Sequence, residues 1–336
     1  MTTRSIPLLP RRQTGLALIM VLLALALVVS LAAGIAQQQN LRVFKAGHYL
    51  GQSQGQSVAL GAEALARQIL FRDFEDDREK DLMVDSPDEV WAQYSAILPI
   101  DNDGVVEVQI NDLGGRINLN DLVLASGEVN EVTRARVTRL LEILDIREVH
   151  PDALIDWIDR DEQTISAYGA EDGQYLLMEP PYRAANQPMA SITELRLLEG
   201  MTEEYYQRLL PHVVVVPVFG MPINVNMASM EVLQSLHPEL TQAQAEAIVS
   251  RRDEDRFEDM QAFLALPEFA GMGLKADGLA LRTFFFDVAS RITFDNRVYH
   301  LVSRIYRSPD GEFSVLHRDA GQRNVITKQP FAVTEG

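Results

Sequence analysis

Carboxylates are concentrated between residues 156 and 172 of this chain. The sequence reads Asp156-Trp157-Ile158-Asp159-Arg160-Asp161-Glu162-Gln163 and, after a short loop, Gly169-Ala170-Glu171-Asp172. Like charges at this density repel one another, so the arrangement is unfavourable without a cation. Asp159, Asp161 and Gln163 alternate along the turn and offer the hard oxygen ligands that Ca²⁺ prefers. The pattern predicts either a calcium loop or a solvated acidic loop.

The spacing of these oxygen donors is not that of an EF-hand. Counted from Asp159, Thr164 holds the sixth position, where an EF-hand has glycine, and Ala170 holds the twelfth, where it has glutamate. Glu171 comes one residue late. A calcium site in this segment therefore belongs to a different class.

Motifs that would support catalysis are missing from the sequence. The histidines show no HExxH spacing, and neither a GxSxG elbow nor a phosphate-binding glycine loop occurs. Asp156 and Asp159 are paired carboxylates of the kind that act as acid and base, but Trp157 is the one neighbour that would form a pocket. We therefore predict that the chain is not an enzyme.

The composition narrows the range of partners. The chain has 336 residues, a formal net charge of −18 and no cysteine. Such a surface repels phosphate backbones, because nucleic acids are normally held by clustered Lys and Arg. Without cysteine, disulfides, thiolate metal sites and cysteine nucleophiles are excluded. We predict no nucleic-acid partner.

An uncharged run from Leu16 to Ala36 predicts a membrane-spanning helix. At about 1.5 Å per residue, this segment crosses a hydrocarbon core of about 30 Å. Arg4, Arg11 and Arg12 precede the run, whereas uncharged polar residues follow it. This bias places the N-terminus in the cytoplasm and the remainder of the chain on the other side of the membrane.

Three interpretations of this segment compete. A secretory signal peptide would be cut after Gly34-Ile35-Ala36, so that the mature chain starts at Gln37. A simple anchor would remain uncleaved. The third interpretation rests on Gly15, which stands where a basic leader meets the apolar run and resembles the site at which prepilin peptidase cuts type IV pilins and pseudopilins. Leu16 would then be the first mature residue.

Met20 departs from the usual pattern of that superfamily. Most members have glutamate as the fifth mature residue, where it neutralises the N-terminal amine of a neighbouring subunit. A carboxylate in lipid is costly unless it is paired, so a subunit at the end of a filament has no use for it. The K-type minor pseudopilins of type II secretion share this departure, and here the resemblance first becomes specific.

Further motifs extend the resemblance to the K-type minor pseudopilins over nearly the whole chain. That family carries a DWxDxD segment followed by GAED, an aromatic residue and a YRAANxP segment. The matching residues here are Asp156-Trp157, Asp159, Asp161, Gly169 to Asp172, Tyr175 and Tyr182 to Pro188, and similar matches occur at 114–120, 191–197 and 223–229. These motifs together are far more specific than the leader alone.

The resemblance implies a role and a set of ligands. In that family the acidic loop binds calcium, which assigns ligand roles to Asp159, Asp161, Glu171 and Asp172, with Asp156 as a further candidate. It implies a non-enzymatic subunit that caps and helps to initiate the pseudopilus, with the bulk of the chain in the periplasm. The implied partners are other minor pseudopilins, the major pseudopilin, prepilin peptidase and the inner-membrane secretion platform.

The sequence predicts an α+β fold with a long pilin-like N-terminal helix and a small antiparallel sheet, interrupted by a large all-helical insertion. Apolar residues continue at helical spacing to about Leu70. Residues 105–110, 284–294 and 297–307 read as strands. Because two strands are marginal alone, the ends of the insertion should lie close together.

Seven segments follow from these patterns. They are the leader 1–15, the membrane helix 16–36, the pilin-like helix and first strands 37–117, the helical insertion with the acidic loop 118–222, a helix-hairpin-helix-like (SAM-like) module 223–282, the C-terminal strands 283–320 and a flexible tail 321–336. Within the second half of the long helix, the acidic stretch Asp73 to Asp81 is predicted to be solvated.

The module at 223–282 supports an alternative function, a membrane-tethered receptor for DNA or another polymer. DNA binding by such modules needs a hairpin with free backbone N–H groups and basic neighbours. Here Pro238 lacks a donor and Glu239 repels phosphate, so we predict a protein-packing role. A third hypothesis is a secreted calcium-dependent hydrolase that begins at Gln37.

Overall fold

The computed structural model describes residues 14–100, 104–294, 297–323 and 326–331. The leader before residue 14 lies outside these ranges. In chain order, the helices are α1 (Thr14–Glu79), α2 (Val90–Gln93), α3 (Glu131–Ile143), α4 (Pro151–Ile158), α5 (Asp172–Tyr175), α6 (Glu203–Leu209), α7 (Met230–Gln234), α8 (Gln242–Glu254) and α9 (Met260–Leu264). The strands are β1 (Ser95–Ile100), β2 (Gly104–Asp112), β3 (Ile117–Asn118), β4 (Val213–Val214), β5 (Ile223–Asn224), β6 (Leu279–Ala280), β7 (Phe285–Phe294), β8 (Arg297–Arg307) and β9 (Phe313–Asp319).

The chain divides into two units, and the boundary between them along the sequence falls within α1, after Ser57. In the first unit, α1 contains a stretch with a mean hydropathy of 3.0 and no buried residue. By length and composition, this stretch is able to cross a membrane. The prediction of an apolar helix that starts near Leu16 is confirmed by the structure.

In the second unit, the last part of α1 packs on an antiparallel sheet. Ala59, Ala62, Ala66 and Leu70 follow one another at helical spacing, and all are buried against the apolar face of the sheet. The small alanine side chains let the helix backbone approach the strands closely. The helix thus covers the apolar face of the sheet. A small sheet needs such packing to be stable, as the sequence analysis predicts.

The sheet has five strands in the order β1-β2-β7-β8-β9, and every neighbouring pair is antiparallel. β7 and β8 match the predicted strands closely. The prediction contained one strand before the insertion, whereas the structure has two. β1 escaped prediction because its sequence lacks alternation and includes Pro99, which is tolerated on an edge strand.

The insertion, residues 113–284, leaves the sheet after β2 and returns at β7. The two ends are adjacent, because Asp112 pairs with Phe286 in the strand register and the Leu113 N–H donates to the Phe285 carbonyl at 3.1 Å. The expectation that the insertion begins and ends at one place on the sheet is therefore confirmed.

The insertion has one continuous apolar core. Buried side chains from the first predicted segment, such as Leu140 and Leu154, belong to the same cluster as Leu233 and Ile248 of the helix-hairpin-helix-like segment. The two segments therefore pack as one body around shared apolar contacts.

Buried asparagines hold distant backbone segments of this body together. The Asn120 side chain donates to the Met189 and Val216 carbonyls and accepts the Met189 N–H. The Asn226 side chain donates to the Phe257 carbonyl at 2.9 Å and accepts the Phe257 N–H at the same distance. These side chains therefore satisfy buried backbone groups that lie 31 to 96 residues away along the chain.

Two regions differ from the prediction. Residues 326–331 are held against the start of β1, where the Ser95 N–H donates to the Gln329 carbonyl and the Phe331 N–H donates to the Ser95 carbonyl. A flexible tail was expected there. Asp77, which was expected to be solvated, is buried at the end of α1.

Candidate functional site

The acidic loop starts at the end of a fully buried helix. Every residue of α4 is buried, and the Asp159 N–H caps the helix by donating to the Ile155 carbonyl at 2.8 Å. The Trp157 indole nitrogen donates to Glu194 at 3.1 Å, which fixes the end of the helix to the following segment. The loop therefore leaves the core at a defined point and direction.

Three carboxylates of the loop converge. One oxygen atom from each of Asp159, Asp161 and Glu171 lies within 4.8 Å of the others, and we call these residues the loop cluster. Asp161 is exposed, Asp159 is half-buried and Glu171 is buried. Asp159 Oδ1 and both oxygens of Glu171 are sealed from solvent and have no hydrogen-bond partner within the described residues.

The electrostatics of the loop cluster are unfavourable for free carboxylates. Burial and, next, the charges of Asp161 and Asp156 raise the pKa of Asp159 to about 6. Burial and the neighbouring carboxylates likewise raise the pKa of Glu171 to about 7. Both shifts mean that the negative form lacks compensation from the part of the chain that the structure describes.

The other two candidate ligands make different contacts. Asp156 Oδ1 accepts the Ile165 N–H at 3.0 Å, whereas its Oδ2 is buried and has no hydrogen-bond partner within the described residues. Asp172 Oδ1 accepts the Ala184 N–H at 3.0 Å, and its second oxygen pairs with Arg183. The structure thus brings three of the five predicted residues together and uses these two to hold the surrounding backbone.

Residues beyond the predicted ligands also shape the loop. The Asn186 side-chain amide donates to the backbone carbonyl of Asp161 at 2.9 Å, and Asn186 has a positive φ of 46°. The Ser166 hydroxyl donates to Asp152 at 2.6 Å. Sequence reasoning used the YRAAN segment as a family mark and did not assign it a contact with the loop. The one sequence feature that could have pointed to Asn186 is its residue type, because asparagine tolerates a positive φ better than most residues do.

The donor set of the loop cluster fits a hard divalent cation. Carboxylate oxygens are the ligands of Ca²⁺, and the unpartnered buried oxygens of Asp159 and Glu171 are groups that normally have a partner. A bound Ca²⁺ would remove the mutual repulsion and cross-link α4 to α5. The three carboxylates therefore offer oxygen ligands of the kind that such a cation takes.

The candidate processing residues lie in α1. Leu16 and Met20 have exposed side chains, with 60% and 64% of their surface accessible. A Cβ added to Gly15 would meet no atom within 4 Å. Nothing in the described fold therefore requires glycine at this position.

The helical hairpin between α7 and α8 uses its polar groups internally. The Glu239 N–H donates to His237 Nδ1 at 3.2 Å. Arg251 pairs with Glu268 at 3.3 Å and Arg252 pairs with Asp253 at 3.1 Å. These contacts occupy the groups that would otherwise meet a phosphate.

Comparisons with known families identify the two halves of the insertion. A first-domain model of type II secretion system protein K matches residues 115–218, and a second protein K model matches residues 223–282. Both matches lie within the insertion.

Known proteins extend the similarity to the rest of the chain. Type II secretion system protein K of Pseudomonas aeruginosa is 38% identical over 93% of this chain and 94% of that protein. The protein K of Pectobacterium carotovorum is 37% identical over 72% of this chain and 76% of its own length. A chain of the GspK-GspI-GspJ complex from the type 2 secretion system of enterotoxigenic Escherichia coli is similar in structure, with a TM-score of 0.73 and 25% identity over 83% of this chain and 100% of that chain.

Proposed function

Since the chain belongs to the type II secretion system protein K family, the K-type minor pseudopilins, we propose that it caps the pseudopilus, helps to initiate its assembly and supports protein export across the outer membrane. In this role α1 anchors the subunit in the inner membrane with the N-terminus cytoplasmic and the bulk of the chain periplasmic. The subunit acts by assembly and not by catalysis.

The observation that carries the capping proposal is the insertion between β2 and β7. It has a core of its own and emerges at one connection of a pilin-like sheet, so the sheet keeps its helix packing while a second body is added. A subunit with such a body is suited to the end of a filament, where no further subunit is stacked on it. Met20 agrees with that position, because an end subunit has no neighbouring amine to neutralise.

The partners follow from the same proposal. A relative of this fold is solved in a complex with GspI and GspJ, so we propose that other minor pseudopilins form a tip complex with this chain. The major pseudopilin would follow below the tip, prepilin peptidase would cut after Gly15, and the inner-membrane platform would drive assembly.

Variants of two glycines test the processing step. Gly15→Val should leave the leader attached, whereas Gly34→Val should be cut normally so that the chain starts at Leu16. The pair is matched, because a Cβ at either glycine meets no atom within 4 Å and the fold tolerates both changes. Mass spectrometry of the membrane-extracted chain reports the mature N-terminus. Normal cleavage of Gly15→Val, or a start at Gln37, would contradict the proposal.

The end position in the filament is tested at Met20. Met20→Glu should leave export and recovery of the minor partners unchanged, because no neighbour depends on this residue. Export is measured as the fraction of a secreted protein found in the medium. A strong export defect in this variant, with normal cleavage after Gly15, would contradict the expectation that assembly does not depend on the residue at this position.

We also propose that the loop cluster binds Ca²⁺, with Asp159, Asp161 and Glu171 as ligands and Asp156 and Asp172 as supporting residues. Calorimetric titration of the full-length chain in detergent should show calcium binding. Asp159→Asn should weaken it by more than the roughly 10–100-fold that loss of an outer-shell partner costs. Glu162→Gln is the matched control, since Glu162 is an exposed acid of the same loop outside the cluster. Equal affinity in the two variants would remove Asp159 from the site.

A further inference from the structure

A polar cavity of ≈350 Å³ lies outside the acidic loop, where the end of β2, the segment before α7, helix α8 and residues 326–331 meet. The charged residues of its lining are Asp112, Arg116, Arg252 and Lys328, and the others are uncharged. We call it the basic cavity, because three of these residues are cations and one is an acid. This composition stands against the net charge of −18 of the whole chain.

The acid of the basic cavity is already occupied by hydrogen-bond donors. Asp112 accepts the Gly114 N–H at 3.1 Å and the Gly115 N–H at 2.7 Å, and it also accepts the Thr283 hydroxyl. It makes no salt bridge with a cation of the cavity within the described residues. Asp112 therefore accepts no hydrogen bond from the side chains of Arg116, Arg252 or Lys328 within the described residues.

Arg116 is the least satisfied of the cations. Burial lowers the pKa of its guanidinium, and the charges of Asp112 and Asp287 partly oppose this effect. Arg304 binds both oxygens of Asp287 at 2.9 Å. Within the described residues the Arg116 guanidinium makes no hydrogen bond. A guanidinium has five N–H donors in a planar fork, which matches the two oxygens of a carboxylate.

Lys328 and Arg252 complete the cationic lining. The Lys328 ammonium donates to the backbone carbonyls of Trp91 and Ile110, and burial lowers its pKa to about 8. Arg252 donates to the Ala228 carbonyl at 2.6 Å and pairs with Asp253 at the surface. Lys328 thus gains acceptors from the backbone but no carboxylate of its own, and one of its three N–H donors remains.

We propose that the basic cavity binds one carboxylate of a partner protein, an acidic side chain or a C-terminal carboxylate, which Arg116 and Lys328 anchor. A polyanion is disfavoured because the negative field of the rest of the chain repels it, whereas a single carboxylate presents one charge to a local excess of cations. The choice of a protein as the source of this carboxylate rests on the proposed assembly function. Binding of a carboxylate in the basic cavity does not depend on that proposed function.

Lysine acylation on the isolated full-length chain tests the cavity. The chain in detergent at pH 8 is pulsed with acetic anhydride, and mass spectrometry measures acetylation of Lys328 against exposed Lys80 and Lys275. The probes are a Gly-Glu-Gly peptide with blocked ends, its Gly-Gln-Gly counterpart and inorganic phosphate. At saturation the glutamate peptide should slow acetylation of Lys328 about fivefold, because a rise of one unit in its pKa of about 8 lowers the free-amine fraction at pH 8 from about one half to about a tenth. The acetylation rates of Lys80 and Lys275 should not change.

The phosphate and glutamine-peptide probes and the Arg116 variant distinguish a protein carboxylate from other ligands. Protection by phosphate without protection by the glutamate peptide would replace the proposal by a free-anion site, and equal protection by the glutamine peptide would remove the carboxylate. Arg116→Gln should raise the peptide concentration needed for protection about tenfold. The exposed Arg147→Gln is the control and should not change it. Unchanged protection in Arg116→Gln, with the melting temperature preserved, would overturn the assignment.

The same footprint on the assembled complex separates this proposal from the capping proposal. Lys328 should be protected in complexes that retain the minor partners. The peptide result on the isolated chain does not depend on where the subunit lies in a filament. Peptide binding with full Lys328 reactivity in the complex would overturn the protein partner while leaving the capping proposal intact.

Discussion

Two acidic clusters in this molecule balance their charge in different ways. The loop cluster makes no salt bridge within the described residues, and its buried oxygens lack hydrogen-bond partners. The second cluster consists of Asp73, Asp77 and Glu89, whose carboxylate oxygens also lie within 4.8 Å of one another. We call it the junction cluster, because it joins the end of α1 to the segment that leads into the sheet.

The junction cluster is surrounded by cations and proton-bearing groups. Asp85, which lies beside it, pairs with the buried Arg307, and Arg256 lies 3.8 Å from Glu89. Burial, followed by neighbouring acids, raises the pKa of Asp73 to about 7 and that of Glu89 to about 9. Arginines and bound protons therefore balance this cluster at neutral pH.

The comparison shows that a high density of carboxylates is not by itself the mark of a metal site. What differs is whether fixed cations of the chain lie among the acids. Where they do, as at the junction, arginines lie beside the acids, although Asp73 and Asp77 make no salt bridge of their own within the described residues and Asp73 Oδ2 lacks a hydrogen-bond partner. Where they do not, as in the loop, the missing charge has to come from solution, which is the physical basis for proposing Ca²⁺ there.

The largest effect is expected from removing the fixed cation of the junction. Arg307→Met leaves Asp85 buried without its partner, which should cost about 3–5 kcal/mol of unfolding free energy. Arg282→Met is the control, because Arg282 lies nearby without a salt bridge in the described chain. Urea unfolding followed by Trp91 fluorescence in a Trp157→Phe background reports this region, since Trp91 donates to Glu89 at 2.5 Å. Full rescue of Arg307→Met by calcium would show that both clusters accept a cation and would end the comparison.

Calcium removal should give the next largest effect, and its sign should reverse with one substitution. At a calcium concentration of 100 Kd, binding stabilises the folded chain by about 2.7 kcal/mol. Asp159→Asn should therefore be less stable than the parent in calcium. In chelator it should be more stable, because the substitution removes one buried charge and its repulsion of Glu171, the two effects that raise the pKa of Asp159 and Glu171. Thermal melting followed by Trp157 in a Trp91→Phe background measures both conditions.

Two results of this calcium test would contradict the contrast between the clusters. One is the same sign of the Asp159→Asn effect with and without calcium, which would mean that the loop acids are not repelling one another. The other is an equal calcium response in Asp73→Asn and Asp159→Asn, which would mean that the junction also takes part in binding.

The junction should respond to pH more than the loop does when calcium saturates the loop. A carboxyl with a raised pKa binds more protons in the folded state than in the unfolded state, so its stabilisation falls as pH rises. For Asp73 the window runs from 3.8 to about 7, and for Glu89 from 4.5 to about 9. Asp73→Asn should raise stability at pH 8 by on the order of 1–2 kcal/mol and change it little near pH 4. Trp91-reported urea unfolding across this range checks the slope.

An unchanged pH slope in Asp73→Asn would mean that Arg307 already neutralises Asp73 in the folded chain. Glu162→Gln is a suitable control, because an exposed loop acid should not alter the slope. Both variants are measured in saturating calcium, so that titration of Asp159 and Glu171 does not contribute.

The long-range elements of the fold were predictable to different degrees. α1 carries a long apolar run, and β7 and β8 are rich in aromatic and branched residues, so these elements appear where the sequence predicts them. β1 has no such pattern, and its position follows from pairing with β2. The ordered residues 326–331 escaped prediction for a similar reason, because their place depends on hydrogen bonds to Ser95 and to the Gln109 side chain, far away in sequence.

The candidate site was predictable in its location but not in its geometry. Residue type marked the acidic loop, yet the sequence does not reveal that Asp172 is held by Arg183 while Glu171 turns toward Asp159. Asp73 and Asp77 of the junction cluster were predicted to be solvated, because Arg307, which pairs with the neighbouring Asp85, lies 222 residues from it in sequence. Local composition reports the charges of a segment and not the charges that folding brings to it.

The smallest expected effect concerns the backbone support of the loop cluster. Asn186→Gly keeps the positive φ of 46° accessible but removes the amide that donates to the Asp161 carbonyl. Loss of this bond should cost about 0.5–1.5 kcal/mol in calcium. Asn186→Ala adds backbone strain and should cost more. If Asn186→Gly matched the parent in both stability and calcium affinity, the loop would be held by its carboxylates and bound cation alone, and the contrast with the junction network would become sharper.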